Sequence, residues 1–434
     1  MACCHHYIET ATGDAGFTID VSRITFGRGV MSEVGDRAKD HGMTRIGLFT
    51  DKSLLDLEPV ARAVKSIEAA GLEVEIYSDI NIEPNASSIM RAARFVEEGG
   101  FDGFVSVGGG SVMDTAKAAI AYGTYPVDFM TYVIKPLGGG EALPGPLPPH
   151  IACPTTAGTG SETTAISVVY IEDLGFKLPV VHRAMLPTEA IVDPTCTYSL
   201  PTKVIACSAF DLISHALEAF TARPHTVRPA PARPTLRPTT QGANLFSDII
   251  GREALKLAGE YAVRAVADPK DEEARDNISW AATLAGIAFA NTGTHAPHAM
   301  SYPVSAMNQT FHAVGYATPD KIVPHGMAVI LNAPSVFRYT ACGCPERHLH
   351  AAEWLGADIR GAGADDAGEV IAKRLIWMMQ STGMPNGISG IGLGPDKVPE
   401  LSTMCMHQPA VNNSPRPIDL DAMNGLYAGA MSYW

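Results

Sequence analysis

Short β-branched runs alternate with helical patterns through the first 200 residues, and this rhythm is what most limits the folds open to the chain. Ile46 to Thr50 is an apolar run of strand length. Pro59 to Ala70 follows with helical spacing at Val60, Ala63, Val64 and Ile67, and Gly71 stops it. Leu72 to Tyr77 alternates with period two. Ile89, Ala92, Ala93 and Val96 give another helical face, ended by Gly99-Gly100, and Phe104 to Val107 reads as a buried strand. Further strands are expected at Ile151–Cys153, Ile166–Ile171 and Ala190–Val192. Strand–helix alternation of this kind predicts a parallel sheet with helices on both faces.

After Leu200-Pro201 the β-branched runs almost vanish. Ala-rich helical stretches take over at 203–220, 244–266, 271–290, 326–337, 346–356, 366–382 and 417–430. The expected division is therefore an α/β nucleotide-binding domain over residues 1–200 and an all-α metal-binding, catalytic domain over 201–434. One biased segment interrupts the helices. Thr221 to Thr240 carries five prolines, four arginines and no acid, so it cannot be a helix interior.

Of the 434 residues, 46% are hydrophobic and 18% charged, which supplies a large core and excludes global disorder. The net charge is −14 and no basic block offsets it, so nucleic acid and anionic membranes are poor partners. No run of 18 apolar residues exists, and no transmembrane helix is expected. The eight cysteines form no CxxC pair and no disulfide framework, which fits a reduced, intracellular chain. The N-terminus has neither an apolar signal core nor an Arg-rich amphipathic pattern. Its Cys3-Cys4-His5-His6 cluster could bind a stray metal. It reads as a frayed terminus, because no second pair of ligands is near in sequence.

Two glycine-rich loops carry chemistry. Val107-Gly108-Gly109-Gly110-Ser111-Val-Met-Asp114-Thr-Ala-Lys117 joins a predicted strand to a predicted helix. Its glycines let backbone approach a bulky anion, Ser111 can cap the helix and donate to a phosphate, and the helix start offers N–H groups. Pyrophosphate binding is the chemical reading; an ordinary tight turn is the plain one. The loop is neither G-x-G-x-x-G nor Walker A. The second loop, Pro154-Thr155-Thr156-Ala-Gly-Thr159-Gly-Ser161-Glu162, suits a ribose, amide or phosphate, and could equally be an ordinary Gly/Thr loop. Asp51 ends the first clear strand. An acid there can accept from both hydroxyls of an adenosine ribose and would repel a 2′-phosphate, favouring NAD over NADP. A helix-start aspartate is the other reading.

Asp211 and His215 lie four apart on one apolar helical face, so both point inward and need partners. A shared divalent cation would satisfy both, and so would a plain Asp–His hydrogen bond. Gly293-Thr-His295-Ala-Pro-His298-Ala-Met-Ser-Tyr302-Pro303 and Pro324-His325-Gly326 add histidines. Three histidines with one carboxylate suit Fe(II) or Zn(II), with a position left open for substrate. By spacing alone, His295 and His312 compete as ligands.

These motifs together resemble the iron-containing (group III) alcohol dehydrogenases over nearly the whole chain. Gly108-Gly-Gly-Ser111-x-x-Asp114-x-x-Lys117 is similar to the family's pyrophosphate loop, and Pro154 to Glu162 to its second nucleotide loop. Asp193-Pro194 with Leu200-Pro201 resembles its domain junction. Phe210-Asp211-x-x-x-His215-Ala-x-Glu218 and Pro324-His325-Gly326 resemble its metal motifs. The resemblance implies a dehydroquinate-synthase-like fold. It implies NAD and a divalent metal as cofactors, Fe(II) in preference to Zn(II), with Asp211, His215, His298 and His325 as ligands. Gly108, Gly109, Gly110, Ser111, Asp114, Lys117, Thr155, Thr156, Thr159 and Ser161 would hold the cofactor, together with Asp51.

Three departures point to one branch. Tyr302 stands where many family members carry a second histidine. The stretch between His298 and His325 is longer than in simpler members. The third departure is the 221–240 insert. With Pro345-Glu-Arg-His348-Leu and Leu355-Gly-Ala-Asp358, they resemble the hydroxyacid-oxoacid transhydrogenases. That resemblance implies hydride transfer from a 4-hydroxybutyrate-like acid to a 2-oxoglutarate-like acid through bound NAD. The alternative is a conventional NAD-dependent iron-type alcohol dehydrogenase that releases NADH. Tyr302 is the catalytic candidate, as a hydrogen-bond or proton-relay group, or else a tyrosine that only packs nearby. Arg223, Arg228, Arg233 and Arg237 are candidates for a substrate carboxylate, since guanidinium forks match carboxylates. A solvated insert or an oligomer contact is the rival reading. The expected partners are small hydroxy and oxo acids, with a homo-oligomer, dimer or larger. The expected location is cytoplasmic, or the mitochondrial matrix in a eukaryote.

Overall fold

The computed structural model describes residues 4–8, 10–316, 318 and 321–434. Cys3 of the N-terminal Cys-Cys-His-His cluster lies outside them. The chain divides into two compact units. One is Asp20–Leu200; the other is Pro201–Trp434 with the described residues up to Ile19. The first residues, expected with the α/β domain, thus belong to the helical unit. The Asp14 carboxylate holds the Arg237 guanidinium at 2.7 and 3.0 Å, and Thr18 N donates to Gln241 Oε1 at 2.8 Å.

The α/β unit runs β1 (Arg23–Phe26), α1 (Val34–Asp40), β2 (Arg45–Phe49), α2 (Glu58–Ala69), β3 (Glu73–Tyr77), α3 (Ala86–Gly99), β4 (Gly103–Gly108), α4 (Gly110–Thr124), β5 (His150–Pro154), β6 (Ile166–Ile171), β7 (Phe176–Val181) and β8 (Glu189–Val192). Six strands form a parallel sheet in the order β1-β8-β5-β4-β2-β3. Val34, Ala38, Val60, Ala63 and Ile67 of α1 and α2 pack on one face with Ile46, Leu48, Val105 and Ile151. Ala92, Val96, Val112, Ala116 and Ile120 of α3 and α4 cover the other with Phe49 and Phe104. From β2 the chain moves outward to β3; from β4 it moves the opposite way to β5. That reversal puts the sheet's switch point at the carboxyl ends of β2 and β4, where α/β sheets bind ligands.

The expected strand Ile166–Ile171 forms, but outside the parallel sheet. It pairs antiparallel with β7 as a hairpin, and Val169, Ile171, Leu178 and Val180 pack against Ile89, Ala118 and Tyr122. The short, half-exposed β1 escapes the sequence pattern because it has no apolar run.

The helical unit contains α5 (Thr202–Thr221), α6 (Leu245–Ala267), α7 (Glu272–Thr292), α8 (Ala296–Ala306), α9 (His325–Ile330), α10 (Ala333–Thr340), α11 (Pro345–Trp354), α12 (Ala367–Ser381), α13 (Val398–Cys405) and α14 (Leu420–Gly429). The helix expected over 326–337 is two helices. Pro334 lacks an N–H and starts α10 within its first turn. The sequence reading missed α8, which contains Pro297 and Pro303. Helix α5 is long and apolar enough to cross a membrane, yet 94% of its most apolar window is buried within the protein. It is the core helix of its unit.

Candidate active site

Helix α5 carries Asp211 and His215 on one buried face, as their i, i+4 spacing requires. Helix α8 brings His298, and α9 opens on His325 directly after Pro324. The approach of α9 is close: a Cβ on Gly326 would meet Cys207 O at 2.0 Å and Asp211 Cβ at 2.9 Å. Around a single oxygen, Asp211 Oδ1, the Nε2 atoms of His298, His325 and His215 stand at 3.6, 3.7 and 3.9 Å. The rings of His215 and His298 stack at 4.5 Å, and His215 rests on Phe289 at 4.0 Å.

These separations exceed hydrogen-bond length. They approach the roughly 3.4 Å between donors that sit 2.0–2.1 Å from a shared tetrahedral cation. Asp211 Oδ1 and His298 Nε2 are both buried without a hydrogen-bond partner, an arrangement that is costly unless something between them accepts their lone pairs. The donor set and its orphaned atoms therefore fit a divalent metal. Burial opposes ionisation of Asp211, but the three imidazoles overcome it and hold the carboxyl below its usual range. Asp211, His215 and His298 are almost fully covered, whereas a third of the His325 side chain is exposed, so the cluster opens on the His325 side. Tyr302, one turn after His298, lies parallel to the His325 ring at 6.0 Å.

The competing histidines lie elsewhere. His295 is fully buried with Nε2 3.0 Å from Thr221 Oγ1, and burial lowers its pKa to about 4. His312 is exposed. The buried Glu218, which no ligand assignment included, lies one turn beyond His215. Its Oε1 accepts the backbone N–H of His295 and of His298 at 3.1 Å, and its Oε2 pairs with His298 Nδ1. An acid three and seven residues beyond two inward-facing ligands was the signal available in the sequence.

In the α/β unit the two glycine-rich loops meet. Gly109 caps α4, Thr155 N donates to Gly108 O at 2.9 Å, and Cβ atoms on Gly109 and Gly110 would lie 3.3 and 2.7 Å from the methyls of Thr156 and Thr159. The first turn of α4 lies beside this contact, and Thr156 Oγ1 is buried there without a partner. Gly110→Ala should therefore push Thr159 aside. Overpacking costs about 1–3 kcal/mol, so affinity for the NAD that the motif resemblance leads one to expect here should weaken about tenfold, measured by titration against cofactor fluorescence.

Three side chains expected among the cofactor-holding residues make protein hydrogen bonds of their own. Ser111 lies inside α4 rather than capping it, and its hydroxyl donates to Ile82 O at 2.5 Å. Lys117 is fully buried, donating to Ser161 Oγ at 2.7 Å, Thr164 Oγ1 at 3.0 Å and Ile166 O at 2.5 Å. Asp114 receives Ser161 Oγ at 2.5 Å and Val168 N at 2.9 Å. Asp114 and Lys117 thus brace the second loop on α4. Spacing could not show this, because their partners lie some fifty residues away. Asp51 follows β2 at the switch point, where Oδ1 accepts from Ser53 N at 2.8 Å.

The arginines separate. Arg237 is held by Asp14, Arg228 donates to Thr240 O, and Arg233 is exposed. Arg237 therefore ties the insert to the N-terminal segment and Arg228 ties it to its own end, although the sequence reading had offered both to substrate. Arg223 is half-buried, and burial lowers the pKa of its guanidinium.

Comparison with known proteins agrees with these motifs. The family model described as iron-containing alcohol dehydrogenase matches residues 21–194. The model for the C-terminal part of the Fe-containing alcohol dehydrogenase family matches residues 239–319 and 321–431. The mitochondrial hydroxyacid-oxoacid transhydrogenase of Bos taurus is 41% identical over 426 residues, covering 98% of this chain and 91% of its own. The Homo sapiens protein of the same name is 40% identical with the same coverage. Among solved structures, an alcohol dehydrogenase from Oenococcus oeni superposes with a TM-score of 0.84 at 27% identity, covering 96% of this chain and 100% of its own. A sulfoacetaldehyde reductase from Bifidobacterium kashiwanohense in complex with NAD+ does so at 0.78 and 28%, with the same coverage.

Proposed function

Because the chain belongs to the iron-containing alcohol dehydrogenase family, we propose that it is a hydroxyacid-oxoacid transhydrogenase that works through NAD and a divalent metal. The observation that carries the reading is the grouping of Asp211 with His298 and His325, with His215 facing the same carboxylate oxygen at 3.9 Å, in a chain about 40% identical to proteins of that name over nearly its full length. Asp211, His215, His298 and His325 would hold the cation, iron in preference to zinc. The amides of Gly109, Gly110 and Ser111, with Gly108, Thr155, Thr156, Thr159 and Ser161, would form the nucleotide cradle, and Asp51 would meet the adenosine ribose.

When bound, the cation supplies Lewis acidity towards a hydroxyl or carbonyl oxygen, and NAD accepts and returns hydride. The protein's own part is to orient and to move a proton. Buried Asp211, His215 and His298 fix three directions, and the half-open His325 side admits substrate. Tyr302, beside His325, hands a proton to or from the reacting oxygen. Hydride leaves the carbinol carbon of 4-hydroxybutyrate, giving succinic semialdehyde. The same hydride reduces 2-oxoglutarate to 2-hydroxyglutarate. The relatives named mitochondrial make that compartment the proposed location.

One assay tests the reading. Purified protein is incubated with 4-hydroxybutyrate and 2-oxoglutarate without added NAD, and both products are quantified. Stoichiometric succinic semialdehyde and 2-hydroxyglutarate are expected. Turnover only with added NAD, at the rate of NADH release, would instead make the protein a conventional alcohol dehydrogenase.

A further inference from the structure

Glu218 is a buried acid beside the metal cluster that is not aimed at the cluster's centre. It sits on α5 with no exposed surface. Its two oxygens do different jobs. Oε1 accepts the N–H groups of His295 and His298 at 3.1 Å each, at the start of α8, where no side chain of the helix's own N-terminus provides a cap. Oε2 faces His298 Nδ1 within hydrogen-bonding distance. A carboxylate oxygen can only accept, so the shared proton belongs to Nδ1. The His298 Nε2 lone pair is then left pointing towards Asp211 Oδ1, 3.6 Å away.

We propose that Glu218 is a positioning residue that locks His298 in the Nδ1–H tautomer and so prepares its Nε2 to ligate the metal; the proposal rests on the metal centre described above. Neighbouring groups leave that task to Glu218. Thr221 Oγ1 donates to Leu217 O at 2.7 Å, so towards His295 Nε2, at 3.0 Å, it acts as acceptor. His295 is thereby engaged away from the cluster and reaches Glu218 only through its backbone. One residue of α5 thus sets both the start of α8 and the ring orientation of the ligand that α8 carries. Carboxylates that hold the far nitrogen of a metal-binding histidine act in this way.

Glu218→Gln is the discriminating variant. Its carbonyl oxygen can keep the two backbone bonds, while its NH2 donates to Nδ1 and forces the proton onto Nε2. Wild type and variant are stripped with chelator and titrated with Zn(II), then with Co(II) as a spectroscopic probe. The expected result is a Kd for Zn(II) raised about 10–100-fold, with the Co(II) absorption bands altered. The circular dichroism of the metal-free variant should match wild type. Thr221→Val, which disturbs His295 but not the Glu218–His298 bond, should keep the wild-type Zn(II) affinity. An E218Q protein that is folded and binds Zn(II) within twofold of wild type, with unchanged Co(II) bands, overturns the proposal. Wild type that binds neither metal overturns the metal centre itself. Should E218Q fail to fold, nitrogen NMR of histidine-labelled, Zn(II)-loaded wild type decides: a proton on Nδ1 of His298 supports the proposal, and a proton on Nε2 refutes it.

Discussion

Asp211→Asn should cost at least about 1000-fold in kcat/KM, equivalent to roughly 4 kcal/mol of transition-state stabilisation. The substitution keeps the side chain's volume, which matters because α9 leaves no space: a Cβ on Gly326 would already lie 2.9 Å from Asp211 Cβ. What it removes is charge. Asp211 Oδ1 lies within 4 Å of all three imidazole Nε2 atoms and supplies the negative charge in that donor set. Three neutral imidazoles and an amide would hold a divalent cation far more weakly. Metal per protein after gel filtration, measured alongside activity, should fall together with the rate. A variant that retained both its metal and its rate would remove Asp211 from the centre.

Arg347→Met should have the largest effect on stability and a small one on chemistry. Arg347 is almost wholly buried in the helical unit. It forms a bidentate pair with Asp248, donates Nε to Phe220 O at 2.6 Å, and lies over the Phe220 ring at 3.9 Å. Tyr7 of the N-terminal segment completes the group, donating to Asp248 Oδ2 at 2.6 Å. Methionine fills similar space but leaves the Asp248 carboxylate buried against a single hydroxyl. Breaking such a pair costs about 3–5 kcal/mol, and replacing both partners with apolar residues restores much of it. Urea unfolding can be followed by tryptophan fluorescence, since Trp354 packs on Phe220 at 4.9 Å. The midpoint should fall for Arg347→Met and recover in the double variant with Asp248→Leu. An unchanged midpoint for the single variant would show the pair to be dispensable.

Reading the sequence succeeded where chemistry and periodicity are local. Asp211 and His215 share a helix, so their spacing alone put them on one face. Gly108 to Ser111 follow a strand and open a helix, so the loop's ability to present amides was visible in the order of residues. It failed where a residue's partner is distant. Lys117 was expected among the residues that hold the cofactor, yet its ammonium is spent on Ser161, Thr164 and Ile166. Arg237 looked like a carboxylate reader, and it does read one, that of Asp14. A helix carrying two prolines, α8, was hidden by its composition although it brings His298 to Asp211.

Strand–helix alternation, the break near residue 200 and the residue types at the metal and nucleotide motifs follow from the sequence by itself. Each depends on neighbours within about one or two helical turns, and such neighbours are fixed by backbone geometry. The meeting of His298 and His325, rather than His295 and His312, with Asp211, the contacts of Glu218 with α8, and the protein partners that take up Arg228 and Arg237 belong to the tertiary structure. Those depend on which donor meets which acceptor across segments tens to hundreds of residues apart. Burial makes such matches decisive, because an unmatched polar atom inside the protein cannot turn to water.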